Sequence, residues 1–179
     1  MFYSLTFAKD PPSQSIGTAI QYDPATGETV VDGVSFSANT WSDWHLIPSS
    51  RPDIVLPSKK TNYVDIPGRD GSLDLTNYLT GKPSISDRSG TWEFIVVREY
   101  EGVIVDSRSW IERKNEITEF LDGSVINVFY EEMPGYYYRG RVYVDSNGWR
   151  TGANYSTITI TYRLKPYKIN SSTGEEAGL

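Results

Sequence analysis

A chain of 179 residues has room for one ordinary core and an appended arm, and two full domains are not expected. Seventeen basic residues against 23 acidic ones leave a net charge of −6, which excludes the basic field that nucleic-acid recognition or docking on an anionic membrane needs. The absence of cysteine excludes a disulfide framework, a thiol nucleophile and cysteine-ligated zinc, while 13 tyrosines and five tryptophans favour strands over a helical bundle.

The opening "MFYSLTFAKDPPSQ" lacks the basic stretch and long apolar run of a standard secretory signal. Residues 1–34 read as an arm: a short strand-like "FYSLTF", then Pro11-Pro12, a Ser/Gln/Gly-rich connector, the turn "DPATGE" and "TVVDGV". The main domain is expected over residues 35–168, and residues 169–179, "INSSTGEEAGL", as a loose polar tail.

Pro48, Pro52, Pro57 and Pro67 are too closely spaced for helix and predict extended, irregular chain. "YVDIPGRDGSLDLT" alternates like a strand, breaks at Pro67, Gly68, Arg69, Asp70 and Gly71, and resumes at Leu73. This predicts a fixed corner in which the glycines take positive φ while Asp70 and Asp74 tie down backbone donors.

"TWEFIVV" is apolar on both faces and predicts a strand covered on two sides. The cover is expected from a helix over about residues 106–121, where Trp110, Ile111, Ile117, Phe120 and Leu121 fall on one face. Ser109 and Glu112 form a capping box there, and Gly123 a stop. Three strands follow as an antiparallel meander, "SVINVFYEE", "YYYRGRVYV" and "STITITYRL", with turns expected at Met133-Pro134-Gly135 and Asn147-Gly148. The fold class is therefore mainly β with one helix, α+β by composition.

Little in the chain carries chemistry. His45 is the only histidine and sits between Trp44 and Leu46, so a nucleophilic triad has no base and a packing role is expected. Asp65, Asp70 and Asp74 surround the glycine turn but lack EF-hand spacing, and turn aspartates bonded to their own backbone explain them better than a metal does. Glu131-Glu132 beside "MPGYYY" is the nearest approach to a glycosidase pair and reads as a solvated hairpin tip. Tyr136 and Tyr138 share one strand face, with Tyr137, Arg139 and Arg141 on the other, so no continuous stacking platform forms. No phosphate loop or dinucleotide fingerprint is present, and no enzyme activity, metal or cofactor is expected.

Over residues 40–83 the stretch "TWSDWHLIPSSRPDIVLPSKKTNYVDIPGRDGSLDLTNYLTGKP" resembles the N-terminal, ring-forming domain of the distal tail protein family of siphophages and prophages. The shared motifs are Trp41-x-Asp43-Trp44, then Ile47-Pro48 with Ser50-Arg51-Pro52, then residues 63–68 with Asp70, Gly71 and residues 73–76, then residues 79–81. The likeness continues to about residue 168 through "GTWEFIV", "PGYYYRGRVYV" and "ITITYRLKPYK".

The resemblance implies a β-sandwich-like domain with one helix and a protruding β-hairpin. It further implies a homohexameric ring joining the tail tube protein to a tail-tip hub protein, with the tape measure protein as a further neighbour. It carries no catalytic residues across, and places the protein at the virion tail tip after assembly in the host cytoplasm. Candidate ring contacts are Trp41, Trp44, Arg51, Tyr136, Tyr137, Tyr138 and Arg139, with Pro67, Gly68, Asp70, Gly71 and Asp74 as the structural turn. Many relatives carry a second β-sandwich related to carbohydrate-binding modules, and at 179 residues none is expected in this chain. The alternative reading is a carbohydrate-binding module contacting host cell-wall polysaccharide through exposed tyrosines and tryptophans, and the third a wall hydrolase using Glu131.

Overall fold

The computed structural model describes residues 3–10, 20–31, 34–78, 81–151 and 155–178. Pro11-Pro12 with the following connector, and Leu79 and Thr80 of the motif series, lie outside the described residues. The chain opens with β1 (Leu5–Lys9) and a small meander of β2 (Ile20–Tyr22), β3 (Thr29–Val31) and β4 (Val34–Ser35). Next come β5 (Ser37–Asn39), β6 (Leu46–Pro48) and a hairpin of β7 (Tyr63–Val64) and β8 (Leu73–Asp74). The long strand β9 (Arg88–Val96) leads through the small hairpin β10 (Glu99–Tyr100) and β11 (Val103–Ile104) to helix α1 (Trp110–Leu121). The meander β12 (Val125–Tyr130), β13 (Tyr136–Thr151) and β14 (Ser156–Leu164) ends in the short β15 (Ile169–Asn170).

One antiparallel sheet organises the molecule, in the order β5-β1-β12-β13-β14-β9-β6, with β15 paired to β13. Four strand spacings separate β1 from β9, about 19 Å in a flat sheet. Yet the rings of Phe7 on β1 and Trp92 on β9 lie 6.0 Å apart. The sheet is therefore rolled over its inner face, and its halves face each other as the layers of a sandwich do. The edges β5 and β6 are joined through residues 40–45, where Leu46 N donates to Thr40 O at 2.7 Å.

The register puts Phe7, Val128 and Tyr138 on the inner face together with Val142, Ile160, Trp92, Ile158 and Phe94, and all are buried in one core. The alternation of residues 157–164 follows: Ile158, Ile160, Tyr162 and Leu164 are buried while Arg163 is exposed and the threonines lie on the other face. Helix α1 closes the core through buried Ile117 and Leu121, with Phe120 edge-on to Trp44 at 5.5 Å.

Several expectations need correction. The strand-like start of the expected arm is an inner strand, β1, between β5 and β12, and Leu5 and Phe7 enter the common core. Its alternation is too short to distinguish an arm from a sheet strand, and the pairing with β12 spans more than a hundred residues. The meander β2-β3-β4 lies against the outer face beside it. Gly27, at φ 78°, sits so close beneath Phe129 that a Cβ there would fall 2.2 Å from the ring.

The strand "TWEFIVV" is covered on its second face only toward its end: Trp92, Phe94 and Val96 are buried on the first face, whereas on the second Thr91 and Glu93 are exposed, Ile95 is half-buried and Val97, just past the strand, is buried. The helix packs on the inner side of the sheet and not behind it. It begins at Trp110, and Ile111, expected on its apolar face, is 60% exposed, while Arg113 is fully buried.

Asn147-Gly148 is not a turn but an irregularity within β13. Five residue steps from Val144 to Trp149 oppose two on β14, from Ile160 to Ile158. A Cβ on Gly148 would meet Thr159 O at 2.9 Å, so the glycine allows the close backbone approach. The tail beyond residue 168 is hydrogen-bonded: β15 pairs with β13, and Ala177 N donates to Lys168 O at 2.8 Å.

Candidate interaction site

The motif residues divide into two groups. Trp41, Asp43 and Trp44 form the turn that joins the sheet's two edges. Asp43 Oδ2 accepts from Asn39 N at 2.6 Å, Trp44 is buried against Phe7 at 5.9 Å, and Trp41 lies edge-on to His45 and Tyr100. Trp44 is thus part of the core and presents no surface to a neighbour. His45 takes φ 51°, with Nδ1 3.4 Å from Asp106.

That aspartate is the centre of a buried ionic cluster. Asp106 accepts from Arg108 Nη2 at 2.6 Å and lies 2.8 Å from Arg113 Nη2, while Arg113 Nη1 donates to Val97 O at 2.5 Å. Arg108 also pairs with Glu116 and donates to Asp43 O at 2.7 Å, tying the helix to the motif turn. Burial pushes the Asp106 carboxyl up, but hydrogen bonds from Arg108 and the charges of both arginines outweigh it and lower it to about 2. Sequence reading missed this cluster; the arginine at position 113, four residues before a core isoleucine, was its one signal.

The second group stands outside the core. Residues 61–71 are exposed throughout, on the β7-β8 hairpin. Gly68 and Gly71 have φ of 82° and 76°, and Arg69 N donates to Ile66 O at 3.1 Å across the corner after Pro67. Asp74 accepts from Thr76 N at 2.8 Å, and hydrogen bonds from the Thr76 side chain and backbone hold its carboxyl below the usual range. Asp65 accepts from Ser72 Oγ at 2.6 Å. Asp70 is exposed and ties down no donor among the described residues, a correction to the expected pair: the glycines permit the corner without it.

A cleft of about 670 Å³ opens beside the segment that leads to this hairpin, lined by Arg51, Ile54, Leu56, Arg88, Tyr130 and Tyr138 among others. Tyr138, expected at an interface, is largely buried and forms the cleft's wall under the Arg88 guanidinium, 4.9 Å from the ring centroid. Arg51 pairs with Glu132 at the rim and lies 5.3 Å from the Tyr3 ring. Burial pushes the Tyr130 phenol above its ordinary range.

The remaining candidates are spread over the molecule. Tyr136 is half-buried under Lys168, and Tyr137 packs at a tilt against Phe129, ring centroids 5.1 Å apart, on the outer face. Arg139 pairs with Asp10 and donates to Asn127 Oδ1 at 3.0 Å. Glu131 accepts from Ser4 Oγ at 3.1 Å.

No family model and no curated protein sequence matches the chain. A solved structure does. It is SPP1 Dit, described as a paradigm of hub adsorption apparatus in Gram-positive infecting phages, similar over 78% of this chain and 50% of that one, at 15% identity and a TM-score of 0.45. The chain spans about half the length of that protein. No helix among the described residues is long and apolar enough to cross a membrane.

Proposed function

We propose that the chain is a non-enzymatic structural component of a phage or prophage tail, a distal tail hub. Six copies form a ring that receives the tail tube on one side and the tail-tip protein on the other, with the tape measure protein adjacent, at the virion tail tip. The observation that carries this reading is where the motif series falls. Residues 63–68 with Asp70 and Gly71, part of the motif series that resembles the distal tail family, are all exposed on the β7-β8 hairpin. Specific sequence without internal packing is explained by contact with another chain.

Tyr63, Val64 and Ile66 put apolar surface on that hairpin, and Leu56 and Tyr78 flank it. A ring requires unlike surfaces that meet and close by rotation. An extended, proline-rich segment suits such a contact, because its restricted backbone loses less entropy on docking. Trp41, Arg51, Tyr136, Tyr137 and Arg139 are the remaining candidates for ring or hub contacts.

Solution mass by light scattering, with negative-stain imaging of the eluted species, tests the reading. Six protomers in an annulus support it. A monomer that stays monomeric when tail-tube protein is added overturns it.

A further inference from the structure

The cleft beside Arg88 contains a cation that no carboxylate among the described residues compensates. Arg88 is 2% exposed, and its guanidinium takes part in none of the ion pairs among the described residues. Nε donates to Pro166 O at 2.7 Å and Nη1 to Val55 O at 3.3 Å, but Nη2 is buried with no acceptor. The Tyr130 hydroxyl, also on the cleft, is buried near Trp92 and makes no well-formed hydrogen bond among the described residues. A buried guanidinium with a donor that meets no acceptor, on the same cleft as a buried phenol, suits a carboxylate. Both other acids on the cleft are engaged: Glu132 by Arg51, and Asp53 by the backbone N of Ile54 at 2.8 Å.

The walls specify what surrounds that carboxylate. Pro52, Ile54, Leu56, Met133 and Tyr138 are apolar or aromatic, so the complementary ligand is an acidic residue flanked by apolar ones. The chain itself displays such a segment. Val64, Asp65 and Ile66 are all exposed on the β7-β8 hairpin, with one Asp65 oxygen accepting from the exposed Ser72 hydroxyl, whereas both leucines of Leu73-Asp74-Leu75 are half-buried and cannot enter a cleft on a second copy.

We infer that the Arg88 cleft receives the Val64-Asp65-Ile66 segment of a second copy of this chain, with the Asp65 carboxylate accepting from Arg88 Nη2 and the Tyr130 hydroxyl. This rests on the ring reading and names its contact. The exchange is heterologous, cleft to hairpin, as ring closure demands. Entry to Nη2 passes the unladdered strap of residues 51–58, whose bond from Arg88 Nη1 at 3.3 Å is the longer of the two that hold the guanidinium.

The test compares light-scattering mass against concentration for the wild-type chain, Asp65→Lys and Leu56→Ser. Both positions are exposed, Leu56 at 80%, so both variants fold. The expected result is assembly weakened about tenfold or more in each. A wild-type ring that both variants form equally well overturns this contact and leaves the ring reading standing.

If the wild type is monomeric, a labelled peptide of residues 62–68 decides. Binding that weakens about tenfold or more in the same peptide carrying Asp65→Asn, and is lost in the Leu56→Ser protein, supports the cleft. No binding, or equal binding of both peptides, overturns it. An Arg88→Gln protein, checked for folding by near-ultraviolet circular dichroism, must lose the discrimination between the peptides. Retained discrimination in that folded variant also overturns the assignment.

Discussion

Asp106 is the residue on which three basic side chains converge, and its environment sets a pH dependence. The carboxyl is lowered from an ordinary 3.8 to about 2, so the folded state binds its proton less readily than the unfolded chain does. The stability this supplies is complete above about pH 4 and disappears as the pH falls toward 2. Asp10, held low first by its hydrogen bond from Arg139, acts in the same direction. Urea unfolding across pH 2–5 is expected to show midpoints falling with acid, and an Asp106→Asn variant a flatter dependence. At neutral pH, Asp106→Ala is expected to cost about 3–5 kcal/mol, since it strands the fully buried Arg113. Gly140 sets a different limit. A Cβ there would lie 2.1 Å from the backbone oxygen of Arg163, so Gly140→Ala should separate β13 from β14 and lower the thermal midpoint sharply.

Elements differ in how much of the fold depends on them. At the start of α1 the Ser109 side chain accepts from Glu112 N at 3.3 Å, and the Glu112 carboxylate accepts from Ser109 N at 2.7 Å. This reciprocal cap makes Ser109→Ala a loss of about 1 kcal/mol in denaturant unfolding. The β7-β8 hairpin is the opposite case. Among the described residues no atom beyond the adjoining ones in the chain lies within 4 Å of a Cβ placed on Gly68 or Gly71, so substitution there strains the backbone without a clash. Gly68→Val and Gly71→Val are expected to leave the core's unfolding midpoint nearly unchanged and to show their effect on assembly, read by light scattering.

At the scale of the molecule, the rolled sheet makes its first strand indispensable. β1 pairs on both sides, with β12 and β5, and Phe7 touches Trp44 and Trp92 from opposite parts of the sheet. Phe7→Ala is expected to cost about 3–5 kcal/mol. Deleting residues 1–9 should abolish the cooperative thermal transition, an outcome that a peripheral arm would not produce.

The local pattern of the sequence was sufficient for whatever depends on near neighbours. The alternation of residues 157–164, the Ser109-Glu112 cap, the Gly123 stop and the positive φ of Gly68 and Gly71 are each decided within a few residues by backbone sterics and side-chain spacing. The motif series likewise marked the 63–76 hairpin before its exposure was visible. What tertiary structure decided was set by contacts distant in sequence. Only the roll of the sheet makes Leu5–Lys9 an inner strand, moves Trp44 and Tyr138 from candidate surface to buried position, and makes Arg113 a core residue through Asp106 and Val97. The Arg88 cleft belongs to that second class: its lining comes from chain segments around residues 51–56, 88 and 130–138, and no local pattern records that they meet.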